Sequence, residues 1–309
     1  MSVFTESLPY RIVTGDAAQG TLSHAYLLIC PDERNLRAFL KELAKVILGA
    51  DARAARLIDE ESYADCRILP AEGTKASVAD VRDMLDDCYI KPTEGDRKLF
   101  VIDRMQEMLP PAQNKLLKVL EEPPANVHFL LGATAEFPVL TTVKSRSKRL
   151  ELLSFAEEDI EKYIRAHYPL RPDAKEIAAA SGGVLGRAQE LAEGDSIADA
   201  DEEAALFVLN LSPAGIPAAC RKYSDRAQAV RFLSLLRLAL RNILMLKLGK
   251  EELMTAGGEA RVLRRAAARY SEGALIRAQE KITAAERDLK FNANVPACLE
   301  ALFYSILEG

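Results

Sequence analysis

The chain has no surplus of positive charge, no paired cysteines and no uninterrupted apolar run, and each absence closes a class of function. Over 309 residues, 41 Lys and Arg face 46 Asp and Glu, a formal net charge of −5. A whole-protein basic footprint for nucleic acid is therefore missing, and only a local patch could serve. The five cysteines (Cys30, Cys66, Cys88, Cys220, Cys298) are odd in number, widely spaced and free of CxxC pairs. That pattern excludes a Cys-rich zinc module and a disulfide framework and fits a reducing compartment. His24, His128 and His167 are scattered, without metal or triad spacing, and read as ordinary packed or surface histidines. The most apolar stretch, Phe232 to Leu248, is interrupted by Arg237, Arg241 and Lys247. Three cations would cost too much in hydrocarbon, so a soluble core helix is expected there and membrane insertion is not. The opening MSVFTESLPY has neither a basic n-region nor an apolar h-region; no secretory signal and a cytoplasmic location are expected.

What is present is ordinary globular composition, 49% hydrophobic and 28% charged, in a chain long enough to bury cores without staples. The first half alternates two periods. Short apolar runs read as buried strands: Ala25–Cys30, Cys66–Leu69, Leu99–Ile102 and Val127–Gly132, with Arg149–Leu153 a fifth. Helix-period segments lie between them, at about Leu36–Leu48, Val78–Cys88 and Ala112–Glu121, with a short one near Phe137–Thr142. Buried strands alternating with helices predict a parallel sheet with right-handed crossovers, an α/β layer fold.

From Ala156 onward the strand pattern stops. Ala156–His167 and about Pro172–Ala180 read as helices, Gly182–Gly183 as a stop, and Val184 as the next start. Residues 193–203 carry six acids and no base, a solvated linker signal. The rest reads as helical, broken at Pro213, Pro217, Gly257–Gly258 and near Pro296. Three parts are expected: α/β over 1–153, a small helical unit over 154–195, and an all-α unit over 196–309.

Two positions in the first part carry the chemistry of a nucleotide site, and both are altered. A phosphate loop needs glycines for backbone approach, a Lys for the β/γ-phosphates and Ser/Thr for Mg²⁺. After the first strand stand Cys30-Pro31-Asp32-Glu33-Arg34-Asn35-Leu36-Arg37. There is no glycine, the Lys position falls on Leu36, and Asp32 and Glu33 would repel phosphate. Asp103 ends a strand where P-loop ATPases place a Mg²⁺ ligand, but Arg104, Met105 and Gln106 follow it, with no catalytic carboxylate alongside. A strand-end cap or ion-pair partner is the expectation for Asp103, since a lone acid is not a metal site.

HAYLL (His24–Leu28), NKLLKVLEEPP (Asn114–Pro124) and VHFLLGAT (Val127–Thr134) resemble the clamp-loader branch of the AAA+ ATPases, the bacterial DNA polymerase III loader subunits in particular. The resemblance covers about residues 20–190 in register. It implies a degenerate AAA+ α/β domain, a helical lid domain and an oligomerising collar. In the family a Ser-Arg-Cys motif carries an arginine finger that reaches a neighbouring subunit's ATP site. Here the stretch is Ser145-Arg146-Ser147, so the resemblance makes Arg146 the finger, acting in trans. A fixed guanidinium there can contribute ~10³–10⁵ in rate. The bare residues leave another reading open, a solvated basic loop, because Lys144, Arg146, Lys148 and Arg149 fall within six residues. Arg187 and Thr134 match approximately the family's second and first sensors; with the phosphate loop degraded, Arg187 is expected in a structural ion pair. Many relatives carry a four-Cys zinc module before the second strand. Ala50–Asp65 holds no Cys and a single Cys66 thiolate cannot build a tetrahedral site, so no metal is expected, and no cofactor.

The resemblance thus implies a non-ATP-binding subunit in a hetero-pentamer with loader ATPase subunits and a delta subunit. It would support loading of a sliding clamp onto primed DNA. Two rivals remain: an active ATPase with an unorthodox site using Asp103 or Arg187, and a DNA-binding module. The second would use residues 221–250, where eight Lys/Arg face one Asp, though no aromatic platform accompanies them.

Overall fold

The computed structural model describes residues 3–72, 74–194, 197–254, 260–290 and 293–308. The chain divides into two units, Met1–Ser154 and Phe155–Gly309.

In the first unit a 3-10 turn, Val3–Glu6, precedes α1 (Leu8–Gln19), β1 (Ala25–Ile29), α2 (Leu36–Leu48) and α3 (Ala52–Asp59). Then follow β2 (Cys66–Leu69), α4 (Val78–Asp87), β3 (Lys98–Ile102), α5 (Pro110–Glu121), β4 (Val127–Ala133), α6 (Thr141–Lys144) and β5 (Lys148–Glu151). All strand pairings are parallel, in the order β2-β3-β4-β1-β5. β1 and β3 are buried along their whole length, which is why they read as continuous apolar runs rather than alternating ones. Their alternate side chains serve two cores. Ala25, Leu27, Ile29, Phe100 and Ile102 share a cluster with α4 and α5 residues such as Met84 and Leu116. On the other face Gly132 of β4 meets α2: an added Cβ would come within 2.6 Å of a Leu40 methyl. That close approach requires glycine.

The helix ends follow local chemistry. Asp51 caps α3 by accepting from the Ala54 N–H at 2.7 Å, and Ser77 and Asp80 form a reciprocal capping box on α4. The apolar stripe Leu36, Phe39, Leu40, Leu43, Ala44 and Ile47 of α2 is fully buried.

The second unit is helical among its described residues: α7 (Glu157–His167), α8 (Ala174–Ser181), α9 (Leu185–Ala192), α10 (Ile197–Asn210), α11 (Ile216–Lys222), α12 (Arg226–Lys247), α13 (Ala260–Arg269), α14 (Glu272–Lys290) and α15 (Val295–Glu308). α12 packs against α8, α9, α10, α13, α14 and α15, with Leu233, Leu236, Ala239, Leu240 and Ile243 wholly buried. Arg171 ties the end of α9 to the start of α8, bridging the Ala192 and Gly194 carbonyls and the Asp173 carboxylate.

Two expectations change. The acidic stretch 193–203 is not all linker: α10 begins at Ile197. The short helix expected near Phe137–Thr142 is the four-residue α6, Thr141–Lys144, beginning three residues beyond Pro138. The breaks expected at Pro213, Pro217 and near Pro296 are there, between α10 and α11 and between α14 and α15; Pro217 and Pro296 sit in the first turn of the following helix, where a missing N–H costs nothing. The break at Gly257–Gly258 lies outside the described residues.

Candidate functional site

A parallel sheet sends every strand's C-terminal loop to one edge, which is where ligands bind in open α/β folds. Here that edge gathers Cys30–Asn35 after β1, Asp103–Leu109 after β3 and Thr134–Leu140 after β4.

The loop after β1 bonds to itself. Asp32, 3% exposed, accepts from the Asn35 backbone N–H at 3.1 Å and from its side-chain amide at 2.9 Å. Leu36, at the phosphate-lysine position, is fully buried. Arg37, at the following Ser/Thr position, places its guanidinium 3.4 Å from Asp103 Oδ2 and grips Glu61 through two bonds of 2.7 and 2.6 Å. Lys41 adds a second cation to Glu61 at 2.9 Å. These contacts hold the Glu61 carboxyl down to about 2, the Arg37 bond being the largest cause. Burial raises the Asp103 carboxyl against the pull of Arg104 and Arg37. Its Oδ1 is buried without a hydrogen-bond partner among the described residues. Asp103 is thus an ion-pair partner, as expected for it. The set does not fit a Mg²⁺-phosphate group in the P-loop manner, because a guanidinium stands against the acid that would ligate metal and the lysine position holds the buried Leu36. Arg37 and Glu61 were missed by sequence reasoning. Arg37 had a signal, a cation where a Ser/Thr belongs; Glu61 lies in a turn with no pattern to mark it.

The loops after β3 and β4 are joined by two glutamines. Gln113 of α5, fully buried, donates to the Met108 carbonyl at 3.0 Å and the Pro138 carbonyl at 3.4 Å, and accepts from the Leu140 N–H at 2.9 Å. Gln106 accepts from the Thr134 N–H at 3.1 Å, so the first-sensor position is anchored through its backbone. From Leu140 the chain enters α6 and, just past its end, Arg146. That side chain is one-third exposed. Its Nη1 donates to the Thr142 carbonyl at 2.9 Å and the Ser145 hydroxyl at 3.2 Å, and its Nη2 lies 2.5 Å from a carboxylate oxygen of Glu121. The neighbouring Lys148 and Arg149 pair with Asp16, Glu136 and Glu151, so the basic run is not a uniform patch.

In the second unit Arg187 reaches Glu286 at 3.5 Å, the structural ion pair expected of it. Arg237 binds the same buried carboxylate. Elsewhere in the 221–250 region, Lys222 pairs with Glu203, Arg226 donates to the Leu289 and Ala293 carbonyls, and Lys247 donates to the Ala267 carbonyl. Much of that charge serves internal packing, which weakens the reading as a DNA groove.

Among the described residues no cluster of three or more His, Cys, Asp and Glu is disposed to hold a metal. Burial pushes the Cys66 and Cys88 thiols up to about 12, which keeps them protonated. His24 and His128, distant in sequence, line one depression beside Pro123 and Pro124, and His128 Nδ1 contacts the Ser23 carbonyl at 2.9 Å. No described helix is long and apolar enough to cross a membrane.

The strand order and the all-parallel pairing define a five-stranded α/β domain whose loops meet at one edge. Residues 7–156 match the family described as DNA polymerase III, delta subunit. Over 92 residues the chain is 32% identical to DNA polymerase III subunit gamma of Buchnera aphidicola, covering 30% of this chain and 25% of that protein. Over 149 residues it is 28% identical to subunit delta′ of Yersinia pestis, covering 45% and 44%. The chain therefore spans less than half of these relatives. A solved DNA polymerase III gamma-subunit-related protein of Thermotoga maritima aligns over 96% of this chain and 98% of its own, with 18% identity and a TM-score of 0.44. The first half of the chain is therefore similar to DNA polymerase III subunits.

Proposed function

We propose that this chain is a delta-prime-like loader subunit that does not bind ATP itself. It donates Arg146 to the ATP site of a neighbouring subunit and supports sliding-clamp loading onto primed DNA. Residues 154–195 act as its lid and 196–309 as the collar of a cytoplasmic hetero-pentamer with ATPase subunits and a delta subunit.

The observation that carries the reading is an asymmetry. The chain's own phosphate loop has a buried Leu36 for its lysine, and Arg37 against Asp103, while an arginine at the family's finger position, Arg146, is partly exposed on the loop after α6. A built-in cation beside Asp103 leaves no vacancy for a divalent ion there, and Asp32 adds negative charge where phosphate would sit. A partly exposed guanidinium, by contrast, has five N–H donors and can meet a phosphoryl oxygen with those its own contacts leave over.

The test has two parts. The isolated chain, titrated with a fluorescent ATP analogue, is expected to show no saturable binding at millimolar nucleotide. The reconstituted loader, with assembly checked by gel filtration, is assayed for clamp- and DNA-stimulated hydrolysis with wild type and Arg146→Ala. Loss of one site's arginine is expected to remove a factor of ~10³ or more at that site. Saturable nucleotide binding would favour the active ATPase, and an unchanged rate in an intact complex would remove the finger.

A further inference from the structure

We propose that Glu121 is a positioning residue for Arg146: the carboxylate at the end of α5 holds the guanidinium in the orientation it presents to the neighbour. The inference rests on the trans-acting reading of Arg146.

Glu121 stands where electrostatics alone would not put it. The C-terminal end of a helix carries exposed carbonyls and favours cations, yet α5 ends in Glu121 followed by Glu122. Pro123 and Pro124 stop the helix there and fix the carboxylate's place. The unfavourable placement is offset by Arg146, whose Nη2 lies 2.5 Å from Glu121 Oε1 across 25 residues of sequence.

The remaining contacts divide the guanidinium fork. Nη1 is held by the Thr142 carbonyl and the Ser145 hydroxyl, both on the arginine's own loop. Glu121 is the contact that comes from the body of the domain. α5 is in turn anchored in the core by Leu116, Val119 and Leu120, so it supplies a rigid reference point that α6, four residues long, cannot. With three contacts on two of its nitrogens, the fork loses little further freedom when a phosphoryl group docks. Pre-paid orientation of this kind is a large share of what a catalytic array contributes.

The experiment is a double-mutant cycle in the reconstituted loader with Glu121→Gln, Glu121→Asp, Arg146→Ala and the Glu121→Gln/Arg146→Ala pair, reading kcat and KM for ATP separately. Glu121→Gln keeps the shape and removes the charge; it is expected to lower kcat about two- to ten-fold with KM unchanged. Glu121→Asp recovers part of that loss. In the Arg146→Ala background Glu121→Gln has no further effect. An equal loss in both backgrounds, or a rate gain in Glu121→Gln, overturns the positioning role. The two proposals fail separately: if Arg146→Ala lowers the rate while Glu121→Gln does not, the finger stands and the positioning role is lost. If Arg146→Ala changes nothing, both are lost.

Discussion

The Arg37 contact with Asp103 predicts a specific pattern of destabilisation. Arg37→Met keeps most of the aliphatic volume and removes the charge. Asp103, 2% exposed, would then keep Arg104 at 3.7 Å, and its Oδ1 has no hydrogen-bond partner among the described residues to compensate. Glu61 would keep Lys41. Removing one partner of a buried pair costs about 3–5 kcal/mol. Two features reduce that here: Glu61 is a quarter exposed, and the Asp103 carboxyl, already raised by burial, can take a proton. The expected loss is about 2–4 kcal/mol at pH 7, read by urea unfolding of the whole chain with circular dichroism. Because the chain has two units, the transition is followed by a second probe to test for two-state behaviour. Adding Asp103→Asn removes the orphaned charge and should restore at least about half of the loss. The penalty in Arg37→Met should also shrink toward acid. An acid whose folded pKa is raised binds its proton more tightly when folded, so stability is regained as pH falls through that value. A loss below about 1 kcal/mol, or no recovery on adding Asp103→Asn, would refute the view that Arg37 neutralises Asp103.

Two further outcomes follow from the same region. Glu61 is depressed to about 2 from 4.5, so its stabilisation is fully present above about pH 4.5 and is lost as pH falls toward 2; acid titration of stability in Glu61→Gln should be flatter across that window than in wild type. Gln113→Leu strands the Met108 carbonyl and the Leu140 N–H in the interior and should cost about 2–4 kcal/mol by urea unfolding, at 1–3 kcal/mol for each group left unpaired; a neutral result would mean that the two loops are held by other contacts.

The sequence announced the sheet because its strands are buried on both faces, and a run such as Leu99–Ile102 has no helical period to confuse it. The parallel order then placed the three loops at one edge. The helices α1 and α3 carried no such signal: α1 buries only Pro9 and Val13, and α3 only Ala54 and Ile58. α10 starts inside an acidic run, where charge suggested solvent and helix propensity prevailed. At the candidate site, Asp103, Leu36 and Arg146 were visible because each occupies a position with a chemical requirement. Their partners were not. Glu61, Glu121 and Gln113 act through contacts 24 to 27 residues away, a separation that periodicity does not encode. Gln113 alone left a trace, as an amide in line with the buried Leu116 and Leu120 of its helix.

The outer strands of the sheet bear on how the molecule behaves in company. β2 and β5 are each four residues long, and β5 presents Lys148, Arg149 and Glu151 outward. Short, charged border strands offer a poor template for a foreign strand. A chain with these borders can be concentrated, or crowded among similar subunits, without its sheets zipping together edge to edge.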